Sequence, residues 1–150
     1  MPTPFGLSLA VERDDSGLSA ATFERATPTR GRIADALLAE AASQVKAHFK
    51  RRLRRFDLPL SLAGTALQVE AWRLVAQLEF GQIVAYCDVA RAIGRPGAHR
   101  GVAAAMVRSD LALFVPAHRV VGADGLLRGA EPGSLRARLL AFEREGRGDT

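Results

Sequence analysis

Apolar residues alternate with small or polar ones near the amino terminus. They occupy every second position from Phe5 to Val11, a period of two that is typical of a half-buried β-strand. The sequence Asp-Asp-Ser-Gly at 14–17 signals a turn, and residues 18–23 can return as a second strand. The pattern therefore predicts a β-hairpin at the start of the chain.

Further along, the apolar period changes from two to four. The residues concerned are Ile33, Leu37, Ala41, Val45 and Phe49. This spacing puts them on one face of an α-helix and predicts a helix over 32–53. Residues 56–64, Phe-Asp-Leu-Pro-Leu-Ser-Leu-Ala-Gly, break the helix and are typical of a linker. We expect a small N-terminal subdomain with its linker over 1–60 and a second domain over 61–150.

The second domain opens with a helix-capping signature. Thr65 and Gln68 have the spacing of a capping box, which predicts a helix over 66–79. Two short helices are then predicted over 87–94 and 98–107, on either side of an Arg-Pro-Gly turn. Two short helices around a tight turn form a candidate helix-turn-helix.

Three further elements complete the expected fold. Residues 111–115 form an apolar run typical of a buried strand, and residues 120–127 predict a hairpin around Asp124-Gly125. Residues 134–145 predict a final helix. We therefore expect an α+β protein with a small strand-hairpin and helix subdomain. A mainly helical C-terminal domain would carry the helix-turn-helix.

The charge balance adds a statement about the partner. Lys and Arg number 21 against 16 Asp and Glu, a net charge of +5, which favours nucleic acid first and an anionic membrane second. Six of the cations lie within residues 46–55. This run fits phosphate neutralisation, and it also fits the more common case of a solvated helix end whose cations complement the helix dipole. The sequence leaves both interpretations open.

The cysteine and histidine content limits the chemistry. Cys87 is the only cysteine, so no internal disulfide or multi-cysteine metal site is expected, and a reducing compartment is favoured. His48 and His99 lack metal-ligand spacing, and we expect neither a metal nor a cofactor. The chain has no apolar run of about 18 residues and no signal-peptide pattern, so we expect a cytoplasmic protein without membrane contact.

One short stretch surrounds an unreactive residue with polar ones. Pro116, His118 and Arg119 flank Ala117, whose methyl side chain offers no nucleophile. The second predicted helix of the helix-turn-helix consists mainly of Ala and Gly, with Arg100 near its start. Small residues allow close approach to a narrow DNA groove or tight packing between helices, and the pattern alone does not separate the two.

Four segments of the second domain form a recognisable series, namely GT at 64–65, FGQIVAY at 80–86, AIGRPGAHRGVAAAM at 92–106 and VPAHRVVGADG at 115–125. In order and spacing they resemble the O6-alkylguanine-DNA alkyltransferases, which flip a damaged guanine out of DNA and move its alkyl group to their own cysteine. RRFDLPL at 54–60 is similar to the linker that precedes this domain in the bacterial members. The hairpin and helix predicted before this linker resemble a shortened version of the family's N-terminal domain, so the resemblance covers nearly the whole chain.

The family's active motif is Pro-Cys-His-Arg-Val, and this chain has Pro-Ala-His-Arg-Val at 116–120. In the family, the histidine and a glutamate from the final helix activate the cysteine. The glutamate position falls near Ala137, so the resemblance implies that the relay is lost together with the sulfur. An alkyltransferase-like subgroup with Ala or Trp at the cysteine position binds alkylated guanine without repairing it and passes the lesion to nucleotide excision repair. We expect a monomer that is not an enzyme, has no catalytic residue and carries Ala117 at the acceptor position.

The same resemblance assigns residues to a partner, double-stranded DNA that contains alkylated guanine. Tyr86 matches the family tyrosine that pushes on the 3′ phosphate of the target nucleotide, and Arg100 matches the arginine that fills the gap left by the flipped base. The helix-turn-helix would lie in the minor groove. The residues expected in the lesion pocket are Tyr86, Ser109, Val115, Pro116, Ala117 and His118. Those expected to contact DNA are Tyr86, Ala98, His99, Arg100, Gly101 and Ala104.

Several positions depart from the family pattern. Ser109-Asp110 stands where the family usually has Asn, and His99 and Ala103 replace smaller residues. The loop that closes over the flipped base in the family is missing from 126–133. Three alternatives stay open. The first is an alkyltransferase, either an engineered Cys-to-Ala form or one that uses Cys87. The others are a helix-turn-helix transcription regulator and a relic without DNA affinity.

Overall fold

The fold is α+β, with five α-helices and two small two-stranded sheets in the residues that the structure describes. The structure, a computed structural model, describes residues 1–25, 33–128 and 133–148. The chain divides into two compact units, one of residues 1–62 with 110–114 and one of 63–109 with 115–150. Within the described ranges, no helix is long and apolar enough to cross a membrane.

The first unit begins with the predicted hairpin. Strands β1 (Leu7–Asp14) and β2 (Gly17–Arg25) pair antiparallel, with Leu9 opposite Phe23. Gly17 starts β2 at φ 146°, and a side chain there would collide with the backbone of Pro59. This close approach lets the Leu18 N–H donate to the Pro59 carbonyl at 2.9 Å. The hairpin is confirmed, with longer strands than the apolar alternation indicated.

Helix α1 (Ala36–Phe49) is shorter at both ends than predicted. Asp35 caps its amino end, because the Asp35 carboxylate accepts from the Leu38 N–H at 2.9 Å. Ile33 lies before the helix and is 45% exposed, so its assignment to the buried stripe is wrong. Ala41 and Val45 do face the core.

The carboxyl end of α1 has an uncommon residue at its turn. The N–H of Arg52 donates to the Ala47 carbonyl at 2.9 Å and the N–H of Arg51 to the His48 carbonyl at 3.0 Å, which is a Schellman motif. Arg51 occupies the left-handed position at φ 59°. Glycine is the usual residue there, and a side chain costs about 1 kcal/mol.

The strand predicted over 111–115 is wrong. Only Leu111 makes an isolated bridge, to Ala21, and the next residues form a turn. Leu113 has φ 73°, a left-handed conformation that ends an extended run. The side chains of Leu111, Leu113 and Phe114 are nevertheless buried. The apolar run therefore predicted the burial of these side chains correctly, whereas the strand it predicted does not form.

The second unit starts with helix α2 (Ala66–Val75) and the predicted capping box. The Gln68 N–H donates to Thr65 Oγ1 at 3.2 Å, and the Thr65 N–H donates to Gln68 Oε1 at 3.0 Å. The helix ends before the predicted Glu79 because Gln77 and Leu78 form tighter turns onto Leu74 and Val75.

Helices α3 (Tyr86–Ala92) and α4 (His99–Val107) pack on α2 and on each other. Buried Trp72 of α2 donates its indole N–H to the Ala105 carbonyl at 2.9 Å. Gly94 ends α3 at φ 76° in a Schellman motif, with the Arg95 N–H on the Ala90 carbonyl at 2.8 Å. Both helices therefore lie where the sequence predicted them, with ends shifted by one or two residues.

A short parallel sheet precedes the last helix. Strand β3 (Val84–Ala85) pairs with β4 (Val120–Val121), and α5 (Leu135–Gly148) follows. The hairpin predicted over 120–127 is wrong, since β4 pairs with β3 and residues 126–128 form no strand. The turn itself is present, with Gly125 at φ 80° and the Gly122 N–H on the Leu126 carbonyl at 2.7 Å.

Candidate functional site

Three charged or polar side chains of the second unit form a buried cluster. His118 and Arg119 lie on a 3₁₀ turn (Ala117–Arg119), and Glu143 lies on α5. All three are 1% exposed. His118 Nε2 contacts Glu143 Oε2, and Arg119 Nε donates to Glu143 Oε1 at 2.8 Å. We call these three residues the buried cluster.

The buried cluster is closely satisfied by hydrogen bonds. Arg119 Nη2 donates to Glu143 Oε2 at 3.1 Å, and Arg119 Nη1 donates to the Leu78 carbonyl at 2.7 Å. Glu143 Oε1 also accepts from the Gly81 N–H at 2.8 Å. Two parallel bonds between a guanidinium and a carboxylate give a rigid geometry, which compensates for the cost of burying both charges. These bonds fix the orientation of the His118 side chain, and His118 directly follows Ala117 in the chain.

The position of Glu143 corrects the expectation that the glutamate relay is lost. Ala137, the residue aligned with the family glutamate, lies in the first turn of α5, where its N–H donates to Ser134 Oγ at 3.3 Å. The carboxylate that reaches His118 comes from Glu143, six residues later. A sequence signal existed, because Leu139 and Glu143 are four residues apart and therefore lie on the same buried helix face.

Most residues of the predicted lesion pocket lie in one buried segment. Val115, Pro116, Ala117 and His118 are consecutive and buried, with Ala117 8% exposed. Ser109 is half-buried. Ala117 has no heteroatom in its side chain, so it cannot accept an alkyl group.

An open cavity of about 470 Å³ lies elsewhere in the second unit. Its lining residues are Tyr86, Cys87, His99, Arg100, Ala103, Gly122, Ala123 and Arg128. The cavity brings together three of the residues predicted to contact DNA, namely Tyr86, His99 and Arg100. Ala117 and His118 are not among the described residues that line it.

The other predicted DNA-contact residues are placed differently. Ala104 is exposed on α4, and Ala98 is half-buried just before it. Gly101 packs on α2, since a side chain there would lie 2.7 Å from Leu67 Cδ2. Gly101 therefore faces α2, although the atom in the way is the end of a flexible side chain and could shift.

A polar network around Tyr86 was missed by the sequence analysis. The buried Tyr86 hydroxyl accepts from the Arg128 N–H at 3.0 Å and from Arg136 Nη2 at 3.4 Å. Arg136 Nη1 also donates to the Arg128 carbonyl at 2.8 Å. Tyr86 and Arg136 thus hold the chain as it leaves the turn at 122–125. Their separation of 50 residues leaves no local pattern from which this contact could be read.

Arg128 has a second partner at the edge of the cavity. Its Nη2 atom donates to Asp124 Oδ2 at 2.8 Å. The hydrogen bond from Arg128, followed by one from the Leu126 N–H, lowers the pKa of Asp124 below its usual value. Gly122 makes room for this pair, because a side chain there would lie 2.8 Å from Arg128 Nη2.

Cys87 is half-buried at the cavity and is the only thiol in the chain. Arg91, one helical turn later, places Nη2 3.8 Å from its sulfur. Within the described ranges, no group of His, Cys, Asp and Glu residues has the arrangement of a metal site.

With this geometry in view, the class of protein follows from comparison with known families. The chain belongs to the 6-O-methylguanine DNA methyltransferase family, whose DNA binding domain model matches residues 66–146. The matched residues include both the cavity and the buried cluster.

Two curated relatives are similar to the chain in sequence. The constitutive methylated-DNA–protein-cysteine methyltransferase of Bacillus subtilis is 39% identical over 109 residues, which cover 71% of this chain and 66% of that protein. The corresponding methyltransferase of Mycobacterium leprae is 39% identical over 107 residues, which cover 71% of this chain and 64% of that protein. The matched stretch thus spans slightly less than two thirds of each relative.

A solved structure agrees with the fold. The crystal structure of Mycobacterium tuberculosis OGT in complex with DNA has a TM-score of 0.74 and 33% identity to the chain. The match covers 91% of this chain and 86% of that one.

These relatives correct one expectation. The sequence predicted a protein that is not an enzyme, and this prediction is wrong. The relatives are named methylated-DNA–protein-cysteine methyltransferases, which are enzymes, and the chain belongs to their family. Ala117 excludes alkyl transfer to position 117 only, since Cys87 is a second group that could accept one.

Proposed function

We propose that the chain binds duplex DNA containing O6-alkylguanine, with α3 and α4 acting as a helix-turn-helix in the minor groove and the damaged base flipped out of the stack. The observation that carries this proposal is the cavity at which Tyr86, His99 and Arg100 meet. Family membership supports it, since the matched family model is that of a DNA binding domain.

The exposed face of α4 suits a narrow groove. Val102, Ala105 and Met106 are buried against the unit, which leaves Arg100, Ala104 and Val107 on the solvent side. Base reading in the major groove would call for several hydrogen-bonding side chains. A face with small side chains and one arginine favours close approach to the backbone and the minor groove instead.

Arg100 and Tyr86 have complementary roles in this proposal. Arg100 is exposed at the start of α4 and forms no ion pair with any described residue, so its guanidinium is available to enter the base stack. Tyr86 lines the cavity, and its hydroxyl is bonded to Arg128 and Arg136. Its proposed role is to press on the 3′ phosphate of the target nucleotide. Flipping requires such a pair, one group to displace the nucleotide and one to fill the gap.

The protein would act as a monomer, and the bound lesion would be passed to nucleotide excision repair. This part of the proposal follows the resemblance to the alkyltransferase-like subgroup, whose members carry Ala or Trp at the position of Ala117. The partner is therefore double-stranded DNA with alkylated guanine, followed by an excision-repair protein.

Alkyl transfer to Cys87 is a second candidate function, favoured by the enzymatic relatives and by the place of this thiol at the cavity. The thiolate would attack the O6-alkyl carbon, the carbon–oxygen bond would break, and guanine would leave with a proton in place of the alkyl group. Transfer would alkylate the protein once, irreversibly.

One experiment separates the two candidates. Binding is measured on matched duplexes with and without a single O6-methylguanine, and the protein is then weighed intact. Tighter binding to the lesion supports the proposed recognition. A gain of one methyl that disappears in Cys87→Ser assigns transfer to that thiol. Equal affinity for both duplexes contradicts lesion recognition and favours the transcription-regulator alternative.

A further inference from the structure

The end of α1 carries a concentration of positive charge that the proposed function does not use. The basic cluster consists of Lys46, Lys50, Arg51, Arg52, Arg54 and Arg55. All six side chains are exposed. Between residues 41 and 69 the chain has these six cations and a single acidic residue, Asp57.

The helix dipole accounts for only part of this charge. Its effect is confined to the last turn of a helix, and the last turn of α1 already holds Lys46 and His48. Arg52, Arg54 and Arg55 follow the end of the helix. Lys46, Lys50, Arg52 and Arg54 form no ion pair with any described residue, so local neutralisation does not account for them either.

Arg51 adds a second, conformational observation. It stands at the left-handed position of the Schellman motif, φ 59°, where α3 has Gly94 at φ 76°. Glycine relieves strain at such a position. The chain thus has an arginine at a position where the backbone conformation favours glycine.

The chemistry of the basic cluster fits phosphate. Four of its members are arginines, whose planar forks match pairs of phosphate oxygens. A membrane surface fits less well, because a membrane-binding helix needs a free apolar face. Here Ala41 and Val45 face the core, Phe49 packs on Phe5 with ring centres 5.8 Å apart, and Phe56 packs on Phe114 at 4.9 Å.

We propose that the basic cluster binds the phosphate backbone of duplex DNA, as a contact additional to the helix-turn-helix. This inference rests on the proposed function for the choice of DNA as the polyanion. Phosphate contacts carry no base information, so the basic cluster would raise affinity for damaged and intact duplexes equally.

The test is the salt dependence of binding to an undamaged duplex, measured for the full chain and for Arg52→Gln/Arg54→Gln. Each phosphate contact contributes about 0.9 to the slope of log affinity against log salt concentration. We expect the slope to fall by about 1.8 when two contacts are removed. The ratio of affinities for damaged and intact duplexes should stay the same.

Two further variants serve as controls. Arg25→Gln/Arg144→Gln removes two exposed cations outside the basic cluster, and Arg52→Lys/Arg54→Lys keeps the charge. For both variants, the slope of log affinity against log salt concentration should equal that of the parent protein. Thermal unfolding of all variants checks that the exposed substitutions leave the fold intact.

An unchanged slope in the glutamine variant would overturn the proposal. A fall of the same size in the Arg25→Gln/Arg144→Gln control would also overturn it, because the slope would then depend only on the net charge of the protein. Binding to phosphatidylserine vesicles that is lost in the glutamine variant, while the DNA slope stays the same, would overturn it in favour of a membrane contact. If the parent shows no preference for the lesion, the proposed function fails, whereas the slope still decides the role of the basic cluster.

Discussion

The buried cluster and the cavity, both in the second unit, differ in how their charges are compensated. In the buried cluster, the Glu143 carboxylate is bonded to His118, Arg119 and the Gly81 N–H, and all three side chains are 1% exposed. At the cavity, Arg100 is exposed without an ion pair to any described residue. An unpaired charge at an open surface is available to a ligand, whereas the charges of the buried cluster are already paired with one another.

This difference explains how the family's framework can persist around Ala117. Loss of one member of a buried charge pair leaves the other uncompensated, which is strongly destabilising. A cysteine replaced by alanine loses one sulfur atom and leaves no charge behind. Removal of Glu143 or Arg119 alone would therefore destabilise the fold, whatever residue stands at position 117.

The largest expected effect comes from restoring the thiol. We expect Ala117→Cys to take one methyl group from O6-methylguanine in duplex DNA, because His118 and Glu143 are already connected beside that position. With the glutamate relay taken as lost, little transfer would be expected; the observed contact reverses that expectation. The measurement is the intact mass after incubation with one equivalent of damaged duplex.

Ala117→Ser is the matched control. Serine has nearly the same shape as cysteine and is a much weaker nucleophile, so this variant should gain no mass. Ala117→Cys combined with Cys87→Ser keeps the new thiol alone and should still gain one methyl. An unmodified Ala117→Cys protein that binds the lesion normally would contradict the idea that the buried cluster is ready to activate a thiol.

The next effect is on stability. Glu143→Gln keeps the size of the side chain and removes its charge, so Arg119 is left buried beside a neutral amide. We expect the free energy of unfolding to fall by about 3–5 kcal/mol, measured by urea denaturation. Glu79→Gln, at an exposed site, should change it by less than about 0.5 kcal/mol.

Arg119→Met added to Glu143→Gln sharpens this prediction. Removal of the second charge should recover part of the lost stability, because an apolar side chain replaces the uncompensated guanidinium. Equal stability of Glu143→Gln and the parent would contradict the view that the buried cluster is held by its charges.

Local signals in the sequence predicted local structure well. The capping box of Thr65 and Gln68, the Arg-Pro-Gly turn between α3 and α4 and the α1 stripe through Ala41 and Val45 each depend on neighbours within one or two turns. They could be read without knowledge of the rest of the chain.

Contacts between distant residues could not be read in the same way. Glu143 reaches His118 across 25 positions, and the Tyr86 hydroxyl reaches Arg136 across 50. The apolar run at 111–115 indicated burial, but the left-handed Leu113 depends on tertiary packing. The family's closing loop was expected to be missing from 126–133. Residues 129–132 of that stretch lie outside the described part of the chain, so this departure stays a prediction.

The smallest expected effect concerns the cavity side of the comparison. Arg100→Ala removes the side chain proposed to fill the gap left by the flipped base, a stacking contact worth roughly tenfold in affinity. We expect the ratio of affinities for damaged over intact duplex to fall by about tenfold, measured by fluorescence anisotropy at fixed salt. Arg108→Ala, at the other end of α4, removes the same charge and should weaken both duplexes alike. If Arg100→Ala, like Arg108→Ala, weakens both duplexes alike and leaves the ratio unchanged, Arg100 acts only as a phosphate contact. The proposal that the cavity recognises the lesion would then lose its support from Arg100.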